Sequence, residues 1–383
     1  MALPLEGIFV LDFSTLLPGP LATLMLAEAG ADVVKVERPG TGEDMRATEP
    51  RFEGESLGYV IINRGKKCIE LDLKSSRAIK ELTPLIEKAD ILVEQFRPGV
   101  MERLGLGYEA VKAINENIIY CSITGYGQTG PKRLSAGHDL NYIGDGGLLS
   151  VSSGPSEQPT IPPALIADIG GGTYPAVINI LLALRQRDQT GTGSYIDIAM
   201  SDNVFAFSYR SFAQGAALGE DLRNGGEMLT GGSPRYHLYT AADGRLVAVG
   251  ALEQKFWDAF CEAIDLDPAY RDDAKDPEAT IRAVGKILSE RSSTHWQPIL
   301  ADTDCCCSIV RNMNEVRSDP HFQARGIFDW SVEGADGGLM PAHPIPIAQQ
   351  FRLPAAEPLS APRLGANNSA FGISQSSKND QKK

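Results

Sequence analysis

Two short polar motifs in this 383-residue chain carry side chains that could move a proton. His138, one of only five histidines, lies in the stretch LSAGHDLNYI. Asp168 directly precedes three glycines in ADIGGG, and an apolar stretch that predicts a helix follows. Histidine titrates near neutral pH, and burial and neighbouring charges tune the pKa of a carboxylate, so both types suit general acid–base catalysis. A glycine-rich helix start also offers backbone N–H groups to a developing negative charge.

Both motifs also have a structural interpretation. His138 could be a polar residue of a turn, and Asp168 could cap the helix that follows it, which is the commonest role of aspartate at such a position. Which interpretation holds depends on whether the fold brings the two side chains together.

The elements that must position these motifs alternate between strand and helix over the first 130 residues. Apolar runs predict strands at 7–13, 32–37, 68–73, 90–96 and 117–127, with helices at 20–30, 75–89 and 99–115. This alternation predicts a parallel sheet, and therefore an α/β fold with a Rossmann-like sheet. The glycine fingerprint of dinucleotide-binding proteins does not follow the first strand. The helix YPAVINILLALRQR after Asp168 is apolar on nearly all sides, which predicts burial.

The pattern changes after residue 205, where a smaller α+β domain is expected. A hairpin is predicted at 236–252, helices at 254–264 and 276–291, and a buried strand of small residues at DTDCCCSIV. The predicted domain organisation has four parts. It comprises a large α/β domain at 1–205, a small domain at 225–330, a return strap at 331–365 and a disordered tail at 366–383.

Composition narrows the function classes. A net charge of −13 argues against a general nucleic-acid binder, which needs a basic face. No stretch approaches about 20 consecutive apolar residues, and the start lacks a signal-peptide pattern, so we expect no membrane association. Six cysteines do not form a disulfide framework, and three of them are consecutive, which does not suit a zinc site. These features predict a reduced, cytoplasmic protein with no metal site.

Several longer stretches, taken in order, resemble the family III CoA-transferases (CaiB/BaiF). They are LDFSTLLPGP, AGADVVKVERPG, VEQFRPGVMERLGLG, the GHD and ADIGGG motifs, RQRDQTGTGSYIDIAM and LTGGSPRYHLYTAADGRLVAVGALEQKF. The resemblance spans about residues 5 to 355 and implies an acyl-CoA enzyme. It further implies an interlocked homodimer, with each active site between the large domain of one subunit and the small domain of the other. No permanently bound cofactor is implied, because the coenzyme A thioester is the substrate.

Within this family, the resemblance is stronger to the branch of 2-methylacyl-CoA racemases. That branch carries a histidine, an aspartate and a glutamate that match His138, Asp168 and Glu253, with Glu253 expected to pair with His138. Transferases of the formyl-CoA type instead have a glutamine just before the first Gly-Pro pair, where this chain has Leu17. The long connection at 37–67 resembles transferases, however, and in those enzymes the aspartate at position 168 would be a nucleophile. The alternatives are therefore a racemase and a CoA-transferase.

The resemblance also implies where the CoA moiety binds. Arginine and lysine suit its phosphates, and the stretches where the family contacts the nucleotide contain several of them. Glu253 and each basic residue could equally be a solvated surface charge. The residues expected to contact CoA are Arg38, Arg64, Lys74, Arg97, Arg103, Gly137, Asp139, Tyr142, Gly170 and Gly171.

Overall fold

Six parallel strands form the largest sheet of the protein. The computed structural model describes residues 2–152, 154, 158–220 and 222–374. The strands, in chain order, are β1 Phe9–Asp12, β2 Asp32–Glu37, β3 Lys67–Glu70, β4 Ile91–Glu94, β5 Ile119–Thr124 and β6 Ser194–Ala199. Their order across the sheet is β3-β2-β1-β4-β5-β6, and every pair is parallel. This is the strand order of a Rossmann-type sheet, so the predicted α/β class with a parallel sheet is confirmed.

Helices connect these strands and cover the sheet. They are α1 Pro18–Glu28, α2 Leu57–Asn63, α3 Ala78–Ile86, α4 Val100–Arg103, α5 Tyr108–Ile114, α6 Asp139–Asp145, α7 Tyr174–Thr190 and α8 Met200–Asn203. A short hairpin joins Arg51–Phe52 to Glu55–Ser56. The central strands β4 and β5 are buried along their whole length, as expected for apolar strands covered on both faces. Proline begins α1, and Gly191 ends α7 in the left-handed conformation that favours glycine.

The prediction that α7 is buried all round is wrong. Its inner side buries Ala176, Ile180 and Ala183, but Ile178 is 56% exposed and Leu182 is 62% exposed. Residues 166–190 are long and apolar enough to cross a membrane, by length and composition alone. Of the apolar stretch that meets this criterion, 44% is buried inside the protein. One such helix is weak support for a membrane span, because core helices of soluble proteins pass the same test.

The chain divides into two compact units. The first takes the described residues within 1–143, 165–204 and 321–383, and the second takes those within 144–164 and 205–320. The predicted large domain of 1–205 therefore loses residues 144–164 to the second unit, because this segment bonds to the glycine-rich stretch near residue 225 instead of to the parallel sheet.

The second unit contains an antiparallel sheet packed against helices. Its strands are β7 His237–Thr240, β8 Leu246–Val249 and β9 Cys307–Ile309, in the order β9-β8-β7. Its helices are α9 Tyr209–Leu218, α10 Gln254–Ala263, α11 Pro277–Ser289, α12 Ser293–Asp302 and α13 Met313–Arg317. Trp257 and Phe260 lie at the centre of its core. The predicted hairpin and the helices at 254–264 and 276–291 are present.

The cysteine run is only partly the buried strand that the sequence predicts. Cys305 is buried, but it precedes the strand, which begins at Cys307. Cys306 is exposed, and its φ of 54° lies in the left-handed region. The chain therefore bends at Cys306 before it enters the sheet.

Residues after 320 return to the first unit. Helix α14 spans Pro320–Ala324, and β10 Ser331–Glu333, β11 Leu339–Pro341 and β12 Leu359–Ser360 form a small sheet in the order β11-β10-β12. A buried ion cluster fixes this return. Glu28 of α1 accepts hydrogen bonds from Arg64 at 2.8 Å and from Arg352 at 2.8 Å.

The prediction of a disordered tail at 366–383 is wrong for residues 366–374, while residues 375–383 lie outside the described residues. Asn367 and Asn368 hydrogen-bond to the backbone of β3 at 2.9 Å and 2.8 Å. Phe371 stacks on Phe9, with 6.3 Å between ring centroids, and Ile373 is buried in the core. A polar composition concealed these few anchoring contacts.

Candidate active site

A cleft of about 480 Å³ lies at the carboxyl ends of the parallel strands. Loops after β1 and β4 line it, and these are the strands between which the order of the sheet reverses. Ligands of open α/β sheets bind at this point. Its lining residues are Thr15, Leu16, Pro18, Gln95, Phe96, Arg97, Pro98, Ile123, Thr124, Gly125, Tyr126, Arg133, Ser135, Ala136, Gly137, His138, Asn141, Tyr142, Asp168 and Met200. The cleft therefore brings His138 and Asp168 together.

Asp168 lies in a wide helical turn, Ile166–Thr173, which leads directly into α7. Its backbone N–H donates to the carboxylate of Asp139 at 2.9 Å. Burial raises the pKa of Asp168 to about 6, the nearby charge of Asp139 adds to this effect, and His138 opposes it. A carboxylate that titrates near 6 can both accept and return a proton near neutral pH.

His138 lies at the start of α6. Its carbonyl oxygen accepts hydrogen bonds from the N–H groups of Asn141 at 2.8 Å and Tyr142 at 3.2 Å. Its own N–H donates to the side chain of Asn141 at 3.0 Å. The imidazole is exposed and lies on the cleft wall. This local geometry explains the GHD motif: the helix start presents His138 to the cleft and turns Asp139 towards Asp168.

Tyr142 forms the inner wall of the cleft. A Cβ atom at Gly125 would lie 2.4 Å from its ring, and one at Gly137 would lie 2.6 Å from it. The Tyr142 hydroxyl donates to the carbonyl of Gly137, and Tyr126 packs edge-on at 5.2 Å. Burial, followed by the charge of Asp168, raises the pKa of this phenol. Gly137 is therefore needed here for the close approach of Tyr142.

The expected contacts of CoA with Asp139, Gly170 and Gly171 stay predictions, and none of these three residues lines the cleft. Asp139 is buried and holds the backbone of Asp168, so it acts through that residue. Neither glycine lines the cleft. A Cβ at Gly171 would lie 2.5 Å from the carbonyl oxygen of Met200, so this glycine permits the packing of α8 against the turn. Two backbone N–H groups at this helix start already have partners: that of Asp168 donates to Asp139, and that of Ile169 donates to the carbonyl of Leu165 at 3.0 Å. These two groups are therefore not free to bind a developing negative charge.

The predicted CoA-binding cations occupy different environments. Arg97 is exposed and lines the cleft, and Arg103 lies just after it, on α4. Arg38 follows β2 and forms an exposed ion pair with Asp44, and Lys74 is exposed after β3. These four lie at the same edge of the sheet as the cleft.

The prediction that Arg64 contacts CoA is wrong. Its side chain is 1% exposed and its guanidinium bonds to Glu28 and to the carbonyl of His343 at 2.9 Å. A guanidinium enclosed in this way has a structural role, since no donor faces solvent where a phosphate could reach it.

Glu253 lies in the second unit, where it is exposed and directly precedes α10. Its expected pairing with His138 stays a prediction. Within the part of the chain that the structure describes, no group of three His, Cys, Asp or Glu residues could hold a metal ion.

Three polar residues of the cleft are not indicated by the sequence motifs. Gln95 accepts the N–H of Gly19 at 3.1 Å and so ties the end of β4 to the start of α1. Asn141 holds the backbone of His138, and Arg133 adds a second cation to the lining of the cleft. A signal for Asn141 was present, because it lies three residues after His138 at a helix start.

Known proteins resemble this chain in sequence and in fold. A model of CoA-transferase family III matches residues 5–368. The chain is 36% identical to alpha-methylacyl-CoA racemase of Homo sapiens over 334 residues, which cover 86% of this chain and 83% of the relative. It is 33% identical to succinyl-CoA:glutarate CoA-transferase of Homo sapiens, over 94% and 84% of the two chains. A CAIB/BAIF family protein from Brucella suis superposes with a TM-score of 0.81 at 27% identity, covering 97% and 99% of the two chains. The chain therefore belongs to CoA-transferase family III.

Proposed function

We propose that this enzyme racemises 2-methylacyl-CoA thioesters by removing the proton at C2 and returning one to the opposite face. The observation that carries this proposal is the pair of proton carriers, His138 and Asp168, on the wall of one cleft. Similarity to the racemases of Homo sapiens and Mus musculus, at 36% and 34% identity, supports it.

The reaction needs one base and one acid. The Asp168 carboxylate takes the C2 proton, the electrons of the broken C–H bond move into the thioester, and the enolate oxygen becomes negative. Protonated His138 then donates its proton to C2 from the other face, and the thioester re-forms. In the reverse direction the two residues exchange roles. A pKa of about 6 suits Asp168 to this exchange, because each protonation state is populated near neutral pH.

A second candidate is CoA transfer between carboxylic acids, which the similarity to succinyl-CoA:glutarate CoA-transferase favours. Here the Asp168 carboxylate attacks the thioester carbonyl and displaces the CoA thiolate, which leaves an acyl–aspartyl anhydride. The thiolate then attacks the aspartyl carbonyl and releases the first acid as a carboxylate. The aspartyl-CoA thioester that remains can pass CoA to the acceptor acid by the reverse steps.

We also propose how the substrate binds and how two subunits form the homodimer. The phosphates of CoA would bind Arg97 and its neighbours Arg38, Lys74 and Arg103, with no resident cofactor. A homodimer would cover the exposed apolar side chains of α7, such as Ile178 and Leu182. The partner's small domain would then supply Glu253 to orient His138. We place the enzyme in the cytoplasm, from its charge and its free cysteines.

Mass spectrometry in D₂O tests the two candidates together. The enzyme is incubated with one epimer of a 2-methylacyl-CoA, without an acceptor acid. Incorporation of one deuterium at C2 with loss of the epimeric excess supports the racemase, provided that His138→Ala and Asp168→Ala abolish it. The control variants are His295→Ala and Asp302→Ala, both exposed on α12 and away from the lining of the cleft. A CoA adduct at Asp168 without deuterium uptake supports the transferase, and neither signal refutes both.

A further inference from the structure

A buried ion pair is bonded to a segment after β1 that forms part of the cleft wall. Lys35 Nζ and Glu43 Oε1 are 3.1 Å apart, and both side chains are almost fully buried. Neither residue lines the cleft. Glu43 is held in place by its own N–H, which donates to Glu37 at 2.8 Å. A buried pair of this kind fixes whatever else is bonded to it, because neither ion can move away from the other at low cost.

Both ions bond to the backbone of the segment Ser14–Leu16, which follows β1. Lys35 donates to the carbonyl of Ser14 at 2.7 Å, and Glu43 accepts the N–H of Leu16 at 2.6 Å. Leu16 has a φ of 61°, a conformation that leucine rarely adopts. Backbone strain persists only where the surroundings over-determine it, and it concentrates at functional sites. Here the charge-assisted bond to Glu43 is the contact that holds the strained peptide.

The same segment continues to the turn that carries Asp168. The hydroxyl of Thr173 donates to the carbonyl of Pro18 at 2.8 Å and lies 3.3 Å from the carbonyl of Asp168. Thr15, Leu16 and Pro18 all line the cleft. One continuous set of bonds thus connects Glu43, through Leu16 and Pro18, to the backbone of Asp168.

We propose that Glu43, paired with Lys35, is a positioning residue that fixes the Leu16 wall of the cleft and so aligns the acyl thioester with Asp168. This inference rests on the proposed acyl-CoA chemistry at Asp168. Glu43 touches neither substrate nor reacting atoms in this assignment. It acts only through the peptide of Leu16, and the expected loss is therefore in alignment and not in binding of the nucleotide.

Glu43→Ala, Glu43→Gln and the control Glu109→Ala test the assignment, with Glu109 exposed on α5. Misplacement of about 1 Å can lower a rate about 100-fold. We expect Glu43→Ala to lower kcat for deuterium exchange by about 10- to 100-fold, with KM changed less than about threefold. Glu43→Gln keeps an oxygen for the Leu16 N–H and should recover part of kcat. Rates are expressed per folded enzyme, so that a loss of folded protein alone does not lower kcat.

Amide hydrogen exchange of the peptide containing Leu16 gives a readout that does not depend on activity. Exchange at Leu16 should be slow in the wild type and in Glu109→Ala, and at least about 100-fold faster in Glu43→Ala. If Glu43→Ala does not fold, Glu43→Gln must still accelerate this exchange at least tenfold. Unchanged exchange, or unchanged kcat in an active enzyme, overturns the inference. Wild-type enzyme that lacks both deuterium uptake and a CoA adduct refutes the proposed function instead.

Discussion

The contact between Asp139 and Asp168 predicts how the pH dependence of the reaction responds to one substitution. Burial and the charge of Asp139 together raise the pKa of Asp168 from 3.8 to about 6. Asp139→Asn removes the charge but keeps a side-chain oxygen that can accept the N–H of Asp168. The carboxyl group should stay in place, while one of the two causes of its raised pKa disappears.

The expected direction follows from the need for an ionised Asp168 in CoA transfer and, in racemisation, for the epimer whose C2 proton Asp168 removes, which is the epimer to assay. Wild-type kcat/KM should fall as the pH drops through about 6. In Asp139→Asn the pKa of Asp168 is lower, so the acid limb should move down by about one pH unit, as expected for loss of a single neighbouring like charge. This shift corresponds to about 1.4 kcal/mol of interaction between the two carboxylates.

The assay is kcat/KM from pH 4.5 to 8, by deuterium uptake or by acyl-CoA exchange, whichever the wild type performs. Asp302→Asn is the matched control, since Asp302 is exposed on α12 and outside the cleft lining. Its acid limb should coincide with that of the wild type. An acid limb that stays near pH 6 in Asp139→Asn, or one that rises, would refute the coupling of the two carboxylates. Equal shifts in both variants would show a general charge effect.

Four further predictions concern stability, packing and binding. Glu28→Gln leaves two buried arginines with a neutral partner, and should lower the free energy of unfolding by about 3–5 kcal/mol, measured with urea. Gly137→Ala forces the ring of Tyr142 to move, because a Cβ would lie 2.6 Å from it, and should lower kcat at least tenfold. A crystal structure of the variant should show the displaced ring. Arg97→Ala should raise KM for the acyl-CoA about tenfold, by steady-state kinetics, with Tm unchanged. Burial opposes ionisation of Glu37, but the bonds from Arg46 and the charge of Lys35 outweigh burial and lower the pKa of Glu37 to about 2. The stabilising contribution of Glu37 is therefore complete above about pH 4.5 and is lost as the pH falls towards 2. Glu37→Gln should flatten this part of the curve of unfolding free energy against pH.

Local sequence patterns were sufficient for the scaffold and for the two central residues of the site. Apolar strand-like runs alternate with segments of helical periodicity, and this alternation predicted the parallel sheet. The carboxyl ends of its strands meet at one edge. His138 and Asp168 both lie in the long connection from β5 to β6, and both reach the cleft at the carboxyl edge of the sheet. The resemblance to a family added their chemical roles, which periodicity alone does not supply.

Contacts between distant parts of the chain could not be predicted in this way. Arg64 follows a helix and precedes a basic run, a pattern typical of a surface loop, yet its partner Glu28 lies 36 residues earlier in the chain. Asp139 and Asp168 are 29 residues apart, and nothing local indicates their bond. The apolar helix α7 suggested burial, but composition does not reveal whether neighbours within the same chain cover every side. The errors at Arg64 and α7 therefore concern the partners of side chains, whereas those at the cysteine run and at residues 366–374 concern the element itself.

The return of residues 366–374 to the first unit has a consequence for biosynthesis. The side-chain amides of Asn367 and Asn368 take the place of a neighbouring strand along β3, the outermost strand on that side of the sheet. An open strand edge is a template for aggregation, and these two amides shield it. During translation the ribosome delivers β3 some 300 residues before this shield, with the whole second unit made in between. The nascent sheet must therefore stay unshielded, or be protected by a chaperone, until synthesis has passed residue 368.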